Sequence, residues 1–129
     1  MMKTLQRILC ADDEPDMRML IRLCLENVGS YDVLVCSSGM ELLDNVARWK
    51  PDLIILDAVM PMMDGLETFS ELKAQENGLH IPVLFMTGKA QDYEAALMAS
   101  GAIGIITKPF DPIHLAADIK KIWDSTQNG

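Results

Sequence analysis

The sequence predicts an α/β fold in which helices cover both faces of a parallel sheet of five strands. Two features of the sequence carry this prediction: five short apolar runs, each long enough for one strand, and the longer segments that alternate with them, whose apolar residues recur at helical spacing. A chain that alternates in this way forms parallel strands, and its helices pack on the two faces of the sheet. Right-handed crossovers restrict the topology further.

The five predicted strands comprise residues 8–11, 33–36, 53–56, 83–86 and 103–107. The second strand is rich in β-branched valine, and the third and fourth are continuous apolar runs. Continuous apolar runs are typical of strands that are buried on both faces of a parallel sheet. Each of these segments is therefore expected to lie between two layers of helices.

The five predicted helices comprise residues 15–27, 39–49, 66–75, 92–100 and 112–123. Pro15 suits the first turn of the first helix, and Gly29 closes that helix. The second helix carries an apolar stripe that is expected to face the sheet, formed by Leu42, Leu43, Val46 and Trp49. The polar tail that follows the last helix is expected to fray.

Length and composition indicate one globular domain, expected to span residues 1–129 with a core over about 6–124. The net charge of −8 disfavours binding of nucleic acid by this domain, because phosphate backbones repel it. Cys10, Cys24 and Cys36 lie in apolar runs without metal-binding spacing, so we expect reduced core residues of a cytoplasmic protein. No segment is suited to be a signal peptide or a membrane span.

Polar residues follow four of the predicted strands, at the point where each strand ends. Asp12 and Asp13 follow the first strand, Asp57 the third, Thr87 the fourth and Lys108 the fifth. Ligands of such sheets bind beyond the carboxyl ends of the strands, so these side chains are expected to converge. Three converging carboxylates repel one another unless a cation lies among them, and oxygen ligands of this kind suit Mg²⁺.

The remaining two side chains complete a site for phosphoryl transfer. Lys108 supplies a positive charge for one phosphoryl oxygen, and the Thr87 hydroxyl can donate a hydrogen bond to another. Any one of the five residues alone is better explained as a helix cap or a strand end. Because all five occur in the right order of strands, we favour a common functional site over coincidence.

These motifs resemble the receiver domains of two-component signalling, with spacing close to that of the chemotaxis-type single-domain regulators. The resemblance covers nearly the whole chain. It depends on Asp12-Asp13, Asp57, Met60-Pro61-Met62-Met63-Asp64-Gly65, Thr87-Gly88 and Lys108-Pro109-Phe110. It implies a doubly wound sheet with strand order 2-1-3-4-5. It also implies a phosphoacceptor that exchanges phosphate with a histidine kinase or a histidine phosphotransfer protein and acts on a downstream protein or a fused output domain.

The resemblance also implies a role for each residue of the cluster. Asp57 takes the phosphoryl group from a phosphohistidine, while Thr87 and Lys108 bind that group. By this resemblance, Mg²⁺ is held directly by the carboxylates of Asp13 and Asp57 and by the backbone carbonyl of Val59. Asp12 binds the ion through water. The Lys108–Pro109 peptide bond is expected to be cis. Such a domain is not a stand-alone enzyme, although it promotes its own phosphorylation and dephosphorylation.

Three positions beside this cluster differ from the family or vary within it. Ile105 stands where receivers often have an aromatic residue that moves on activation, so any switch would couple Thr87 to an isoleucine. Val59 and Lys89 occupy the variable positions that modulate the reaction. The Val59 side chain cannot orient an attacking water, because it has no hydrogen-bonding group.

Two other functions are alternatives to the phosphoacceptor hypothesis. A haloacid-dehalogenase-type phosphatase also uses an aspartyl phosphate, but it needs a second acid two residues after the nucleophile, where this chain has Val59. A pseudo-receiver would bind partners without phosphorylation. The presence of Asp13, Asp57, Thr87 and Lys108 argues against that alternative.

The first predicted helix is apolar around most of its circumference, whereas a helix at a protein surface normally has a broad polar face. In receivers this helix contacts the histidine-bearing helices of the phosphodonor. We therefore predict that Met17, Leu20 and Cys24 contact the phosphodonor, with Arg18 at the rim. The alternative is that the last helix and the loops cover these side chains completely.

Overall fold

The structure, a computed structural model, describes residues 3–75, 80–88 and 90–127. Five parallel strands form one sheet: β1 (Arg7–Ala11), β2 (Asp32–Cys36), β3 (Leu53–Asp57), β4 (Val83–Thr87) and β5 (Gly104–Thr107). Their order across the sheet is β2-β1-β3-β4-β5. Both the fold class and the strand order are confirmed.

Helices connect successive strands. They are α1 (Pro15–Leu23), α2 (Gly39–Trp49), α3 (Gly65–Ala74), α4 (Ala90–Ala99) and α5 (Leu115–Gln127). A π-helical turn over Cys24–Val28 continues α1, so the first helical segment reaches the predicted end. None of the helices in the described part of the chain has the length and apolar character needed to cross a bilayer.

Helix α5 begins three residues later than predicted and ends four residues later. Before it, Asp111 accepts a hydrogen bond from the Ile113 N–H at 3.0 Å, so a turn precedes the first helical hydrogen bond. At its far end, the side-chain oxygen of Gln127 accepts a hydrogen bond from the Lys3 N–H at 2.8 Å. The predicted fraying after Trp123 is therefore wrong as far as Gln127, because the polar tail has partners in the folded chain.

The core consists of two apolar layers, one on each face of the sheet. Alternate residues of each central strand enter opposite layers; in β1, for example, Ile8 and Cys10 face one layer and Leu9 and Ala11 the other. The first layer includes residues of α1 and α5, and the second includes residues of α2, α3 and α4. The three cysteines are free and buried as predicted. This burial on both faces explains the continuous apolar runs of the central strands.

Candidate functional site

The carboxyl ends of four strands meet at one edge of the sheet and place four residues of the predicted cluster, Asp13, Asp57, Thr87 and Lys108, around a single cavity. Its volume is about 390 Å³. The lining residues are Asp13, Glu14, Asp57, Val59, Thr87, Gly88 and Lys108. The structure therefore brings together side chains that are as far apart in sequence as Asp13 and Lys108.

Three carboxylates at this edge of the sheet are close enough to share one cation. Asp12, Asp13 and Asp57 each offer an oxygen atom, and these atoms lie within 4.8 Å of one another. Asp12 and Asp57 are buried, with exposed fractions of 1% and 5%, while Asp13 is partly open to solvent. Small hard cations such as Mg²⁺ bind one or two carboxylates and keep several waters, so this mixture of buried and open acids suits Mg²⁺.

Lys108 links two of the acids. Its Nζ lies 2.8 Å from an oxygen of Asp12 and 3.2 Å from an oxygen of Asp57. Burial alone would lower the pKa of Lys108, but the hydrogen bond from Lys108 to Asp12 and the two negative charges hold that pKa above its usual value. Lys108 therefore stays cationic at the end of β5.

The environment of Asp57 raises the pKa of this carboxyl to about 6. Burial contributes most and the charge of Asp12 adds to it, whereas Lys108 and the Val59 N–H, which donates to Asp57 at 3.2 Å, oppose the shift. Because a pKa of about 6 is still below 7, Asp57 is ionised in most molecules at pH 7. An ionised carboxylate can act both as a metal ligand and as a nucleophile.

Both the side chain and the backbone of Asp12 are held by hydrogen bonds. Its carboxylate accepts hydrogen bonds from the Glu14 N–H at 2.9 Å and from Lys108 at 2.8 Å. Its backbone N–H donates to the Cys36 carbonyl at 3.1 Å, and its carbonyl accepts a hydrogen bond from the Arg18 guanidinium at 2.7 Å. The contact made by Arg18 was not foreseen from the sequence, because nothing in the spacing of α1 indicates which carbonyl an arginine will reach.

Thr87 ends β4, is 1% exposed and lines the cavity. The Lys108–Pro109 peptide bond is cis. Ile105 pairs with Phe85 of β4 and packs, partly buried, against the core layer of α2, α3 and α4, outside the cavity. Lys89 lies outside the described residues.

Gly65, the first residue of α3, lies directly against the end of β3. A β-carbon at this position would lie 2.6 Å from the carbonyl oxygen of Asp57 and 2.9 Å from the Cα of Ala58. Backbone atoms cannot yield to such a contact as a flexible side chain can. The absence of a side chain at Gly65 therefore allows α3 to pack against the strand that carries Asp57.

We expect Gly65→Ala to lower the free energy of unfolding by about 1–3 kcal/mol, because the methyl group forces α3 away from β3. Urea unfolding measures the change. Gly88→Ala is the matched control, since no heavy atom lies within 4 Å of a β-carbon built at Gly88. An equal loss in both variants, or none in Gly65→Ala, would show that the close approach is not required.

Comparisons with known proteins agree with this geometry. Residues 8–120 match the family described as response regulator receiver domain. The chain is 38% identical over 118 residues to the alkaline phosphatase synthesis transcriptional regulatory protein PhoP of Bacillus subtilis, covering 91% of this chain and 48% of PhoP. The chain spans about half the length of the first curated relatives it matches.

Solved structures show the same similarity. Chemotaxis protein CheY4 of Vibrio cholerae superimposes with a TM-score of 0.83 at 28% identity, over 92% of this chain and 99% of CheY4. The receiver domain of sensor histidine kinase PA1611 from Pseudomonas aeruginosa superimposes with a TM-score of 0.81 at 27% identity, over 98% and 100% of the two chains. The PA1611 structure has a magnesium ion coordinated in its active site cleft.

Proposed function

Because this chain belongs to the response regulator receiver domain family of two-component systems, we propose that Asp57 accepts a phosphoryl group from a phosphohistidine. Family membership removes the dehalogenase-type phosphatase from consideration. The observation that carries the proposal is the position of Lys108, whose Nζ lies 2.8 Å from Asp12 and 3.2 Å from Asp57 in a cluster of three acids. A nucleophile, a cation and metal-binding oxygens thus lie within one small cavity.

Each residue has a distinct task in the proposed reaction. Asp13, Asp57 and the carbonyl of Val59 would hold a magnesium ion, which neutralises charge on the phosphoryl oxygens when bound, and Asp12 would assist through water. A carboxylate oxygen of Asp57 attacks the phosphorus atom, and the bond between phosphorus and the imidazole nitrogen breaks. Lys108 then leaves its carboxylate partners to contact one phosphoryl oxygen, and Thr87 donates a hydrogen bond to another.

Incubation with Mg²⁺ and acetyl phosphate, followed by intact-mass measurement, tests this proposal. We expect one phosphoryl adduct per chain that is lost when Mg²⁺ is removed by a chelator. A protein that folds and binds Mg²⁺ but never gains an adduct would be a pseudo-receiver. The proposal would then be wrong.

The residue at position 59 is proposed to set the lifetime of the phosphoryl group, with Lys89 as a second modulator. Val59 lines the cavity, and its side chain is 56% exposed. Hydrolysis requires a water placed in line with the phosphorus atom, and an aliphatic side chain offers that water no hydrogen bond. The phosphorylated form should therefore decay slowly unless a partner supplies the missing group.

We expect Val59→Asn to accelerate dephosphorylation roughly three- to tenfold, which corresponds to about 0.7–1.4 kcal/mol of barrier. The decay of the phosphorylated protein, followed by intact mass after removal of the donor, measures the rate. Val59→Leu serves as the aliphatic control and should decay at the wild-type rate. If the asparagine variant decays no faster, the side chain at this position does not control the water.

The predicted contact of α1 with the phosphodonor is wrong for Cys24, which is buried with an exposed fraction of 6%. Met17 and Leu20 are partly exposed, although they pack against the core layer of α1 and α5, so their part in the contact stays a prediction. The exposed apolar side chains of α1 are Met19 at 65% and Leu23 at 50%. Cys24 lies three residues after the buried Ile21, so helical spacing places both side chains on the face of the helix that packs on the core.

We therefore propose that Met19 and Leu23, together with the partly exposed Met17 and Leu20, form the part of α1 that contacts the histidine kinase or phosphotransfer protein. Leu23→Asp should slow transfer from the phosphohistidine of the cognate donor about tenfold, because a charge replaces a desolvated apolar contact. Phosphorylation by acetyl phosphate should not change. Met98→Asp, at an exposed position of α4, is the control. Equal loss with both donors, or no loss with the protein donor, would contradict this assignment.

Phosphorylation is proposed to change which partners the domain binds on its output side. Thr87 and Ile105 are the proposed switch residues, because Thr87 ends β4 in the cavity and Ile105 lies beside Phe85 on the neighbouring strand. When the Thr87 hydroxyl moves toward the phosphoryl group, it leaves space that the Ile105 side chain can enter. The output partner is a separate protein or an attached output domain.

A further inference from the structure

A larger cavity, of about 570 Å³, lies at the edge of the sheet opposite Asp57. We call it the α1–α5 groove, since it lies between the end of the first helical segment and α5. Its lining residues are Lys3, Thr4, Leu5, Val28, Gly29, Tyr31, Ala116, Ala117, Lys120, Trp123 and Asp124. The proposed phosphoryl chemistry uses none of them.

The π-helical turn at the end of α1 builds one wall of this groove. The Gly29 N–H donates to the carbonyl of Cys24, five residues back, and the Tyr31 N–H donates to the carbonyl of Leu25 at 3.0 Å. A β-carbon at Gly29 would lie 2.6 Å from two ring atoms of Tyr31, so glycine lets this ring fold back against the helix end. Single π-helical turns occur frequently at functional sites.

The polar groups that remain unused around the groove are hydrogen-bond donors. Within residues 3–75, 80–88 and 90–127, the structure records no hydrogen bond from the indole N–H of Trp123 or the hydroxyl of Tyr31. Trp123 is only 3% exposed, but no buried side-chain nitrogen or oxygen atom of the described residues lacks a partner, so its indole N–H is accessible to solvent. Burial raises the pKa of Tyr31 and the charge of Asp124 adds to this, despite the opposing charge of Lys120, so the phenol stays protonated at neutral pH.

Two ammonium groups add to these donors. The side chains of Lys3 and Lys120 are 64% and 63% exposed; Lys3 contacts the buried carboxylate of Asp52 at 3.0 Å, and Lys120 forms an exposed ion pair with Asp124 at 2.8 Å. Exposed ion pairs are weak, so the Lys120 ammonium can also contact a bound anion. The chain as a whole has a net charge of −8, whereas the lining of the α1–α5 groove carries two cations, Lys3 and Lys120, and one anion, Asp124.

We propose that the α1–α5 groove binds a small apolar carboxylate, that is, a molecule with a hydrocarbon or aromatic body and one carboxylate group. The walls provided by Leu5, Val28 and Trp123 would cover the body. The carboxylate would accept hydrogen bonds from Lys120 and from Tyr31 or Trp123. The volume of the groove lies within the range of small-molecule sites, which are mostly apolar with a few converging polar groups.

Octanoate is the probe, and the two indole N–H resonances of the full chain labelled with ¹⁵N are the readout. Trp49, the only other tryptophan, lies at the end of α2 with Arg7 stacked on its ring at 4.1 Å, so it serves as an internal reference. We expect the Trp123 resonance to shift saturably at roughly millimolar octanoate and the Trp49 resonance to stay in place. The neutral analogue 1-octanol should bind about fivefold more weakly, since it lacks the charge that pairs with Lys120.

Three variants complete the test. Lys120→Gln should weaken octanoate binding roughly fivefold. Lys121→Gln, next on the same helix but outside the groove, should leave it unchanged. Ala117→Phe should abolish binding, because an exposed alanine of α5 can be enlarged into the groove without disturbing the core.

No saturable shift of Trp123 in the wild type would overturn the proposal. Binding retained in Ala117→Phe, or equal affinity for octanoate and 1-octanol, would overturn it as well. Phosphorylation by acetyl phosphate should proceed at the wild-type rate in all three variants, because the groove and Asp57 lie at opposite edges of the sheet. Failure of this proposal therefore leaves the proposed phosphoacceptor function intact.

Discussion

Asp57→Asn should fail to gain a phosphoryl group from acetyl phosphate, with a rate at least about three orders of magnitude below the wild-type rate. An amide oxygen is a poor nucleophile, and asparagine also removes one of the three carboxylates of the acid cluster. The side chain is buried and keeps nearly the same shape, so the fold should be preserved. Intact-mass measurement over time, in the presence of Mg²⁺, gives the rate for both proteins.

Asp52→Asn is the matched control for this experiment. Asp52 is a second buried aspartate, but it lies at the opposite edge of the sheet, where it accepts hydrogen bonds from the N–H groups of Gln6 and Arg7. This variant should be phosphorylated at the wild-type rate. If Asp57→Asn gains an acid-stable, base-labile phosphate as fast as the wild type, another residue is the acceptor.

Asp13→Ala should bring phosphorylation by acetyl phosphate to background at about millimolar Mg²⁺, because so wet a site depends on each of its one or two carboxylate ligands. Asp13 is the most open of the three acids, and its oxygen lies within 4.8 Å of those of Asp12 and Asp57. Calorimetric titration with Mg²⁺ should show a matching loss of affinity. Alanine keeps the backbone, so only the ligand is removed.

Asp16→Ala removes one negative charge from the exposed first turn of α1 and is the control for a general electrostatic effect. Its Mg²⁺ affinity should change little, since exposed charges outside the site are screened by solvent and salt. Unchanged Mg²⁺ affinity in Asp13→Ala would refute the role of this residue as a ligand. Equal losses in both variants would indicate a charge effect without direct coordination.

The site could be predicted from the sequence because its parts follow from the geometry of the sheet. Parallel strands end at a common edge, so residues placed directly after strands, such as Asp13, Asp57 and Lys108, must converge. The strands themselves were evident because burial on both faces leaves uninterrupted apolar runs. The strand order came from the family resemblance and not from the apolar pattern.

Features that depend on local hydrogen bonds could not be predicted in this way. The turn made by Asp111 delays the start of α5, although Pro112 suits a first helical turn. The π-helical turn over Cys24–Val28 depends on hydrogen bonds such as the one from the Gly29 N–H to the Cys24 carbonyl, which the spacing of apolar residues does not indicate. The contact from Arg18 to the carbonyl of Asp12 likewise depends on a long side chain whose direction is set by tertiary packing.

Chemical mapping of the phosphorylated residue tests the central claim most directly. Borohydride reduces an aspartyl phosphate to homoserine, and tandem mass spectrometry of the digested protein locates that residue in the sequence. After treatment with Mg²⁺ and acetyl phosphate, we expect homoserine at position 57 and unmodified aspartate at positions 12 and 13. Homoserine at either of those positions, or its absence at position 57 despite a phosphoryl adduct in the intact mass, would contradict the assignment of Asp57 as the acceptor.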